Sequence, residues 1–296
     1  MPSVVQAGHG PENRNADAMT TPVTPLEPFG VMLQAASPND AVTDLSVDAL
    51  RILARHHHLV LLRGFCGPED PADLVAYGER WGSIAEWPFG KVLELLEREA
   101  PQDHIFDSSA VPLHWDGMYR RQVPEFQIFQ CLRAPGPGCG GRTLFSHTAR
   151  ALDQVPASVR LLWERATGRY ERKMEYYHSV AEAPVVTRHP DRDAAVIRYS
   201  APQDQQGEAF INPASASFTG MEEADAALLH RSLAEALHAP SCLYAHAWEA
   251  GDLVIADNHT LLHGREAFTS GAPRHLRRLH ILGDPPLDNP HLVASA

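Results

Sequence analysis

Cysteine is scarce in this chain. Its four residues (Cys66, Cys131, Cys139, Cys242) show no C-x-x-C spacing, so no disulfide framework organises the fold. Long apolar runs are missing too. None approaches the roughly 20 residues of a membrane span, and no basic stretch followed by an apolar one opens the chain as a secretory signal would. Positive charge is in the minority: 25 Lys and Arg against 37 Asp and Glu give a formal net charge of −12, and the basic residues form no run. Nucleic acid and anionic membrane surfaces are thereby disfavoured as main partners, while a local basic pocket for a small anion stays compatible. These absences predict a soluble cytoplasmic globular protein. The pattern specifies no oligomeric state.

Apolar residues make up 44% of the 296-residue chain, enough for a substantial core, and 24 Pro with 20 Gly point to many turns and short strands. Residues 1–25, rich in Pro, Asn, Thr and Ala, are expected to be a disordered tail, and 26–296 a single domain. Residues 45–55 carry a helical apolar stripe that Ser46 or Asp44 would cap. His56, His57 and His58 follow, but adjacent side chains diverge, so the triplet is not expected to hold a metal. Leu59–Phe65 reads as a buried strand, 71–81 as a helix, and 92–98 as a short helix. The polar stretch 101–109 is placed to form a flap. Residues 124–132 alternate as a half-buried strand, 142–145 as another, and 151–166 as a helix with Pro156 in its first turn. Short strands are expected at 185–187 and 195–199, a long helix at 221–238 with an acidic first turn, and strands at 242–248, 251–256 and 277–282. Short strands separated by turns predict a mainly β fold with flanking helices, an antiparallel barrel or jelly roll.

The chemistry concentrates around Val111–Tyr119. His114 and Asp116 stand two residues apart, and in a strand such residues share a face. An imidazole and a carboxylate side by side are two of the three ligands of a 2-His-1-carboxylate facial triad. A distant segment, Asp257-Asn-His-Thr-Leu-Leu-His-Gly-Arg265, offers His259 or His263 as the third. The order H-x-D, then G-G-x-T, then W-x-x-G-D-x-x-x-x-D-N-x-x-x-x-H, then R-x-x-x-R, resembles the taurine dioxygenase-like family of Fe(II)/2-oxoglutarate oxygenases, from about Val60 to Asp284.

That resemblance implies a double-stranded β-helix (jelly roll) and an oxygenase that uses Fe(II), 2-oxoglutarate as cosubstrate, and O2. It assigns His114, Asp116 and His263 to the metal and makes His259 structural or supporting. It puts Thr143 and Arg274 on the far carboxylate of 2-oxoglutarate, where a planar guanidinium suits bidentate pairing. Arg278, four residues on and on the same strand face, corresponds to a position that often binds an acidic group of the substrate. The run His114–Tyr119 with Val123–Phe129 is further similar to the subgroup of isonitrile biosynthesis, the paerucumarin type. An aromatic amino-acid isonitrile such as tyrosine isonitrile is then the implied substrate, and desaturation, with or without loss of its carboxylate, the implied reaction. Met118 and Tyr119 would line a pocket for the ring, or else belong to the core. Three rival readings stand beside this one: a 2-oxoglutarate hydroxylase of another amino acid or small acid, a jelly-roll protein with a structural metal, and a zinc hydrolase.

Overall fold

The computed structural model describes residues 21–174, 177–202 and 211–295. Two antiparallel sheets form its centre. The larger has seven strands in the order Val23–Pro25, Val31–Gln34, Leu59–Arg63, Leu253–Asp257, Gln122–Arg133, His275–Asp288 and Leu93–Leu96. Its pairings are antiparallel except that of Val31–Gln34 with Leu59–Arg63. The smaller sheet runs Leu243–His246, Thr143–His147, Leu261–Arg265, Val111–His114. Packed face to face they make the jelly roll that the turn-rich sequence predicts.

Period-two alternation explains why the central strands read as unbroken apolar runs. Leu59 and Leu61 join Phe129, Phe145, Val254, Ala256 and Leu276 between the sheets. Val60 and Leu62 face the other way, with Phe126, Ile128, Leu279 and Ile281, onto Leu50, Ala54, Leu74, Tyr77 and Trp81. The last five come from the helices Val47–His57 and Pro71–Glu79 and the turn after them. Ser46, not Asp44, caps the first helix by accepting from Ala49 N, and Asp70 caps the second. A third cluster packs the helices Thr148–Gln154, Ala157–Arg165 and Glu223–Leu237 over Leu113, Trp115, Met118 and Leu262.

Four expectations are corrected. Residues 93–96 are a strand, not a helix, paired with 275–278 at the sheet edge. The strand 122–133 is buried on both faces rather than one, because helices cover its outer side. The helix expected over 151–166 is two helices, broken at Val155-Pro156, with Pro156 as the N-cap of the second. Residues 23–25, expected in the tail, pair with 31–33; positions 1–20 lie outside the described residues. Among the described residues, no helix is long and apolar enough to cross a membrane.

Candidate metal centre

His114 ends its strand, and strand pairing sets it directly opposite His263. Their ring centroids are 4.2 Å apart. Asp116 is not on the strand, as the i, i+2 argument had it, but in the turn just beyond. Gly117 makes that turn at φ +98°, where a Cβ would lie 2.8 Å from Val123 Cα. The turn is pinned from across the sandwich. Asn258 Oδ1 accepts from Asp116 N at 3.1 Å, and Asn258 Nδ2 donates to Asp116 O at 2.9 Å. Carboxylate and imidazole therefore converge by a different route from the expected one.

The three side chains place one ligand atom each within 4.8 Å of one another. The His114 tautomer suits a metal. His114 Nδ1 donates to Pro112 O at 2.9 Å, so the neutral ring keeps its lone pair on Nε2. Arg278 Nη1 lies 3.4 Å from His263 Nε2 and Gln127 Nε2 lies 3.3 Å from its Nδ1, so nitrogen donors face both sides of this ring. Burial, first of all, keeps both rings below the usual imidazole range. Burial alone would raise the Asp116 carboxyl, but Arg278, His280 and His263 hold it well below the ordinary carboxylate range. Two neutral imidazoles and one ionised carboxylate are a donor set that fits a divalent ion with open positions.

The same cavity, about 350 Å³, is lined by Thr143, Arg274 and Arg278 as well as the triad. Gly140 and Gly141 explain the G-G-x-T spacing. A Cβ on Gly140 would meet Ala267 O at 2.3 Å, and one on Gly141, at φ +78°, would press on the Arg274 side chain at 3.1 Å. Arg274 is 5% exposed, donates from Nε to Gly141 O at 3.0 Å and lies 3.5 Å from Thr143 Oγ1. Among the described residues no carboxylate pairs with it. Burial, with Arg265 nearby, lowers its pKa from 12.5 to about 9. A buried cation held this way is a site for an incoming anion.

Arg278 was expected to await a substrate acid. Its Nη1 instead pairs with Asp116 Oδ2 at 2.9 Å, although its buried Nε has no acceptor among the described residues. Arg277 points to the opposite face, onto Glu94 and Glu69 O, and takes no part. Tyr119 lines the cavity, half-buried, while Met118 both lines it and belongs to the core. The expected flap is present. Residues 104–106 form a short 3-10 helix whose residues line the cavity. The Arg265 guanidinium donates to the carbonyls of His104, Ile105, Asp107 and Ser109.

A second His-Asp-His group, His189, Asp257 and His259, is equally tight but is not disposed to bind metal. Asp191 N donates to His189 Nδ1 at 3.1 Å, which leaves that ring's proton on Nε2. Asp257 is spent on its turn, accepting from His259 N, Thr260 N and Thr260 Oγ1, with His58 Nδ1 at 3.0 Å. The His259 ring packs edge-on to His189 with centroids 5.8 Å apart, and His58 serves this turn. Gln127 and His280, which the sequence reading passed over, both donate to Asp116 Oδ2, at 2.6 and 2.7 Å. His280 lies on the same alternating face as Leu276 and Arg278, and that period was the signal available for it.

Comparison with known proteins agrees with this geometry. The chain is 49% identical over 264 residues to the tyrosine isonitrile desaturase of Pseudomonas aeruginosa, covering 89% of this chain and 91% of the other. It is 47% identical over 267 residues to the tyrosine isonitrile desaturase of Erwinia amylovora, covering 90% and 91%. A solved structure described as PvcB, an Fe, alpha-ketoglutarate dependent oxygenase from an isonitrile synthetic pathway, superposes with a TM-score of 0.78. It is 43% identical, over 96% of this chain and 100% of that one. The sequence profile for taurine catabolism dioxygenase TauD, TfdA matches residues 21–280, which takes in every residue of the triad: the chain belongs to the TauD, TfdA family.

Proposed function

We propose that this chain is an Fe(II)- and 2-oxoglutarate-dependent oxygenase that desaturates tyrosine isonitrile. His114, Asp116 and His263 bind the iron, and Arg274 with Thr143 binds the far carboxylate of 2-oxoglutarate. The observation that carries this reading is the buried, carboxylate-free Arg274 in one cavity with a His/Asp/His donor set. A structural metal or a hydrolytic zinc has no use for such a cation. The two tyrosine isonitrile desaturases, at 47–49% identity, support the substrate and the outcome.

Bound iron with 2-oxoglutarate supplies the oxidation: O2 is consumed, CO2 and succinate form, and two substrate hydrogens leave in water. The chain's own residues bind and orient. Thr143 Oγ1 accepts from Trp248 Nε1 at 2.9 Å, which turns its hydroxyl hydrogen toward other acceptors, here the carboxylate. Arg278, whose Nε has no acceptor among the described residues, keeps one N–H for an acid group of the substrate beside its ion pair with Asp116. Trp87, Phe89 and Tyr119 on the cavity wall pack the aromatic ring. The flap tied down by Arg265 keeps water out.

Product mass tests the reading. With Fe(II), 2-oxoglutarate and tyrosine isonitrile, the product is two hydrogens lighter than substrate, with or without loss of CO2. A product gaining one oxygen would assign hydroxylation instead. Asp116→Ala should abolish turnover, and persistent turnover would overturn the ligand assignment.

A further inference from the structure

We propose that Trp87 and His280 form a fixed relay that ties the wall of the substrate cavity to the carboxylate of Asp116. This rests on the metal assignment above but concerns two residues outside it. His280 is 3% exposed. Its Nδ1 lies 3.0 Å from Trp87 Nε1 and its Nε2 lies 2.7 Å from Asp116 Oδ2. An indole N–H can only donate, so Nδ1 accepts and the ring proton sits on Nε2. A carboxylate can only accept, so that proton is given to Asp116. Both ends of the ring are thus fixed in direction, and Trp87 and Asp116 select the same tautomer.

Strand pairing builds the inner end. His280 is the direct cross-strand partner of Gln127, and Arg278 of Phe129. His280, Gln127 and Arg278 all reach Asp116 Oδ2. Among the described residues no hydrogen bond claims Oδ1, which faces His114 Nε2 at 3.8 Å. The three donors therefore fix how the carboxylate is presented. The outer end is Trp87, held by the Arg120 guanidinium 4.7 Å above its ring and stacked on Phe89 at 5.7 Å. Phe89 is 47% exposed at the cavity. An aromatic ring entering the cavity meets the indole whose N–H is bonded to His280. His280 is a positioning residue, acting through Asp116.

Two readouts test the relay. Nitrogen-15 NMR of the metal-free protein should show His280 protonated on Nε2, and Trp87→Phe should weaken that preference and shift the Nδ1 resonance. Mn(II) affinity, read by electron paramagnetic resonance without turnover, should fall about 10- to 100-fold in His280→Phe and by a smaller factor in Trp87→Phe. The double variant should be no weaker than His280→Phe alone, because both act through one contact. His280→Gln, which can accept from Trp87 and donate to Asp116, should recover most of the affinity and guards against a folding defect. A Trp87→Phe protein with parental Mn(II) affinity, additive losses, or a His280 ring protonated on Nδ1 would overturn the relay. A parent protein that binds Mn(II) no better than Asp116→Ala, while the tautomer result holds, would overturn the iron assignment and leave the Trp87–His280 link standing.

Discussion

Replacing Arg274 with Met should do two opposite things. Burial and the neighbouring Arg265 bring the guanidinium from 12.5 to about 9, which corresponds to roughly 5 kcal/mol of unfavourable free energy in the ligand-free protein. Methionine has similar length and no charge. The change removes that cost and loses one hydrogen bond to Gly141 O, worth about 1 kcal/mol. The ligand-free protein should therefore gain stability, by a few kcal/mol at most, seen as a raised thermal midpoint. Binding moves the other way. Removing one partner of a buried charge pair costs about 3–5 kcal/mol, so 2-oxoglutarate affinity should drop by roughly a hundredfold or more. The assay is an anaerobic titration of the Fe(II) protein with 2-oxoglutarate, beside melting curves without ligand. An Arg274→Met protein that binds 2-oxoglutarate within about threefold of the parent, or that melts well below it, would refute the reasoning.

Arg277→Gln is the matched control: its guanidinium engages Glu94 and Glu69 O on the far face, so 2-oxoglutarate affinity should stay within twofold, measured in the same titration. Arg265→Met strips four carbonyls of the flap of their donor; limited proteolysis should then cut between residues 99 and 110 where the parent resists, and KM should rise more than kcat falls. Acid should destabilise the fold through His147, whose burial lowers its pKa from 6.5 to about 3. The unfolded chain binds this proton between those values and the folded one does not, so stability from this group is full above 6.5 and is lost as pH falls toward 3. By pH 5 the loss is about 2 kcal/mol, and His147→Gln should flatten that part of the pH–stability curve in urea unfolding.

The two-sheet core was legible because each central strand carries its own period. Leu59–Phe65 read as a buried strand and 251–256 as a strand, and Leu59–Leu62 and Leu253–Ala256 are buried on both faces. Spacing offered His114 and Asp116 with either His259 or His263, and the family resemblance, not the spacing, singled out His263. What the spacing missed was geometry: Asp116 reaches the site from a Gly117 turn held by Asn258, a contact 142 positions away. Local pattern misled at 92–98, where four apolar residues in a short run fit either a helix turn or an edge strand, and only pairing with 275–278 decides. Gln127 and His280 escaped notice because a lone Gln or His on a buried strand acquires meaning only when the register sets the two opposite each other. The role of Arg278 was half legible: its face followed from even spacing, whereas its ion pair with Asp116 depends on the turn.

The central claim, that this chain couples 2-oxoglutarate oxidation to an aromatic isonitrile, comes down to one measurement. Oxygen uptake and succinate are followed together in the Fe(II) protein, with tyrosine isonitrile and then with tyrosine. The account predicts one succinate per O2 with the isonitrile, tracking substrate consumed, and only slow background turnover with tyrosine. Equal coupling to tyrosine, or no substrate-stimulated succinate, would contradict it.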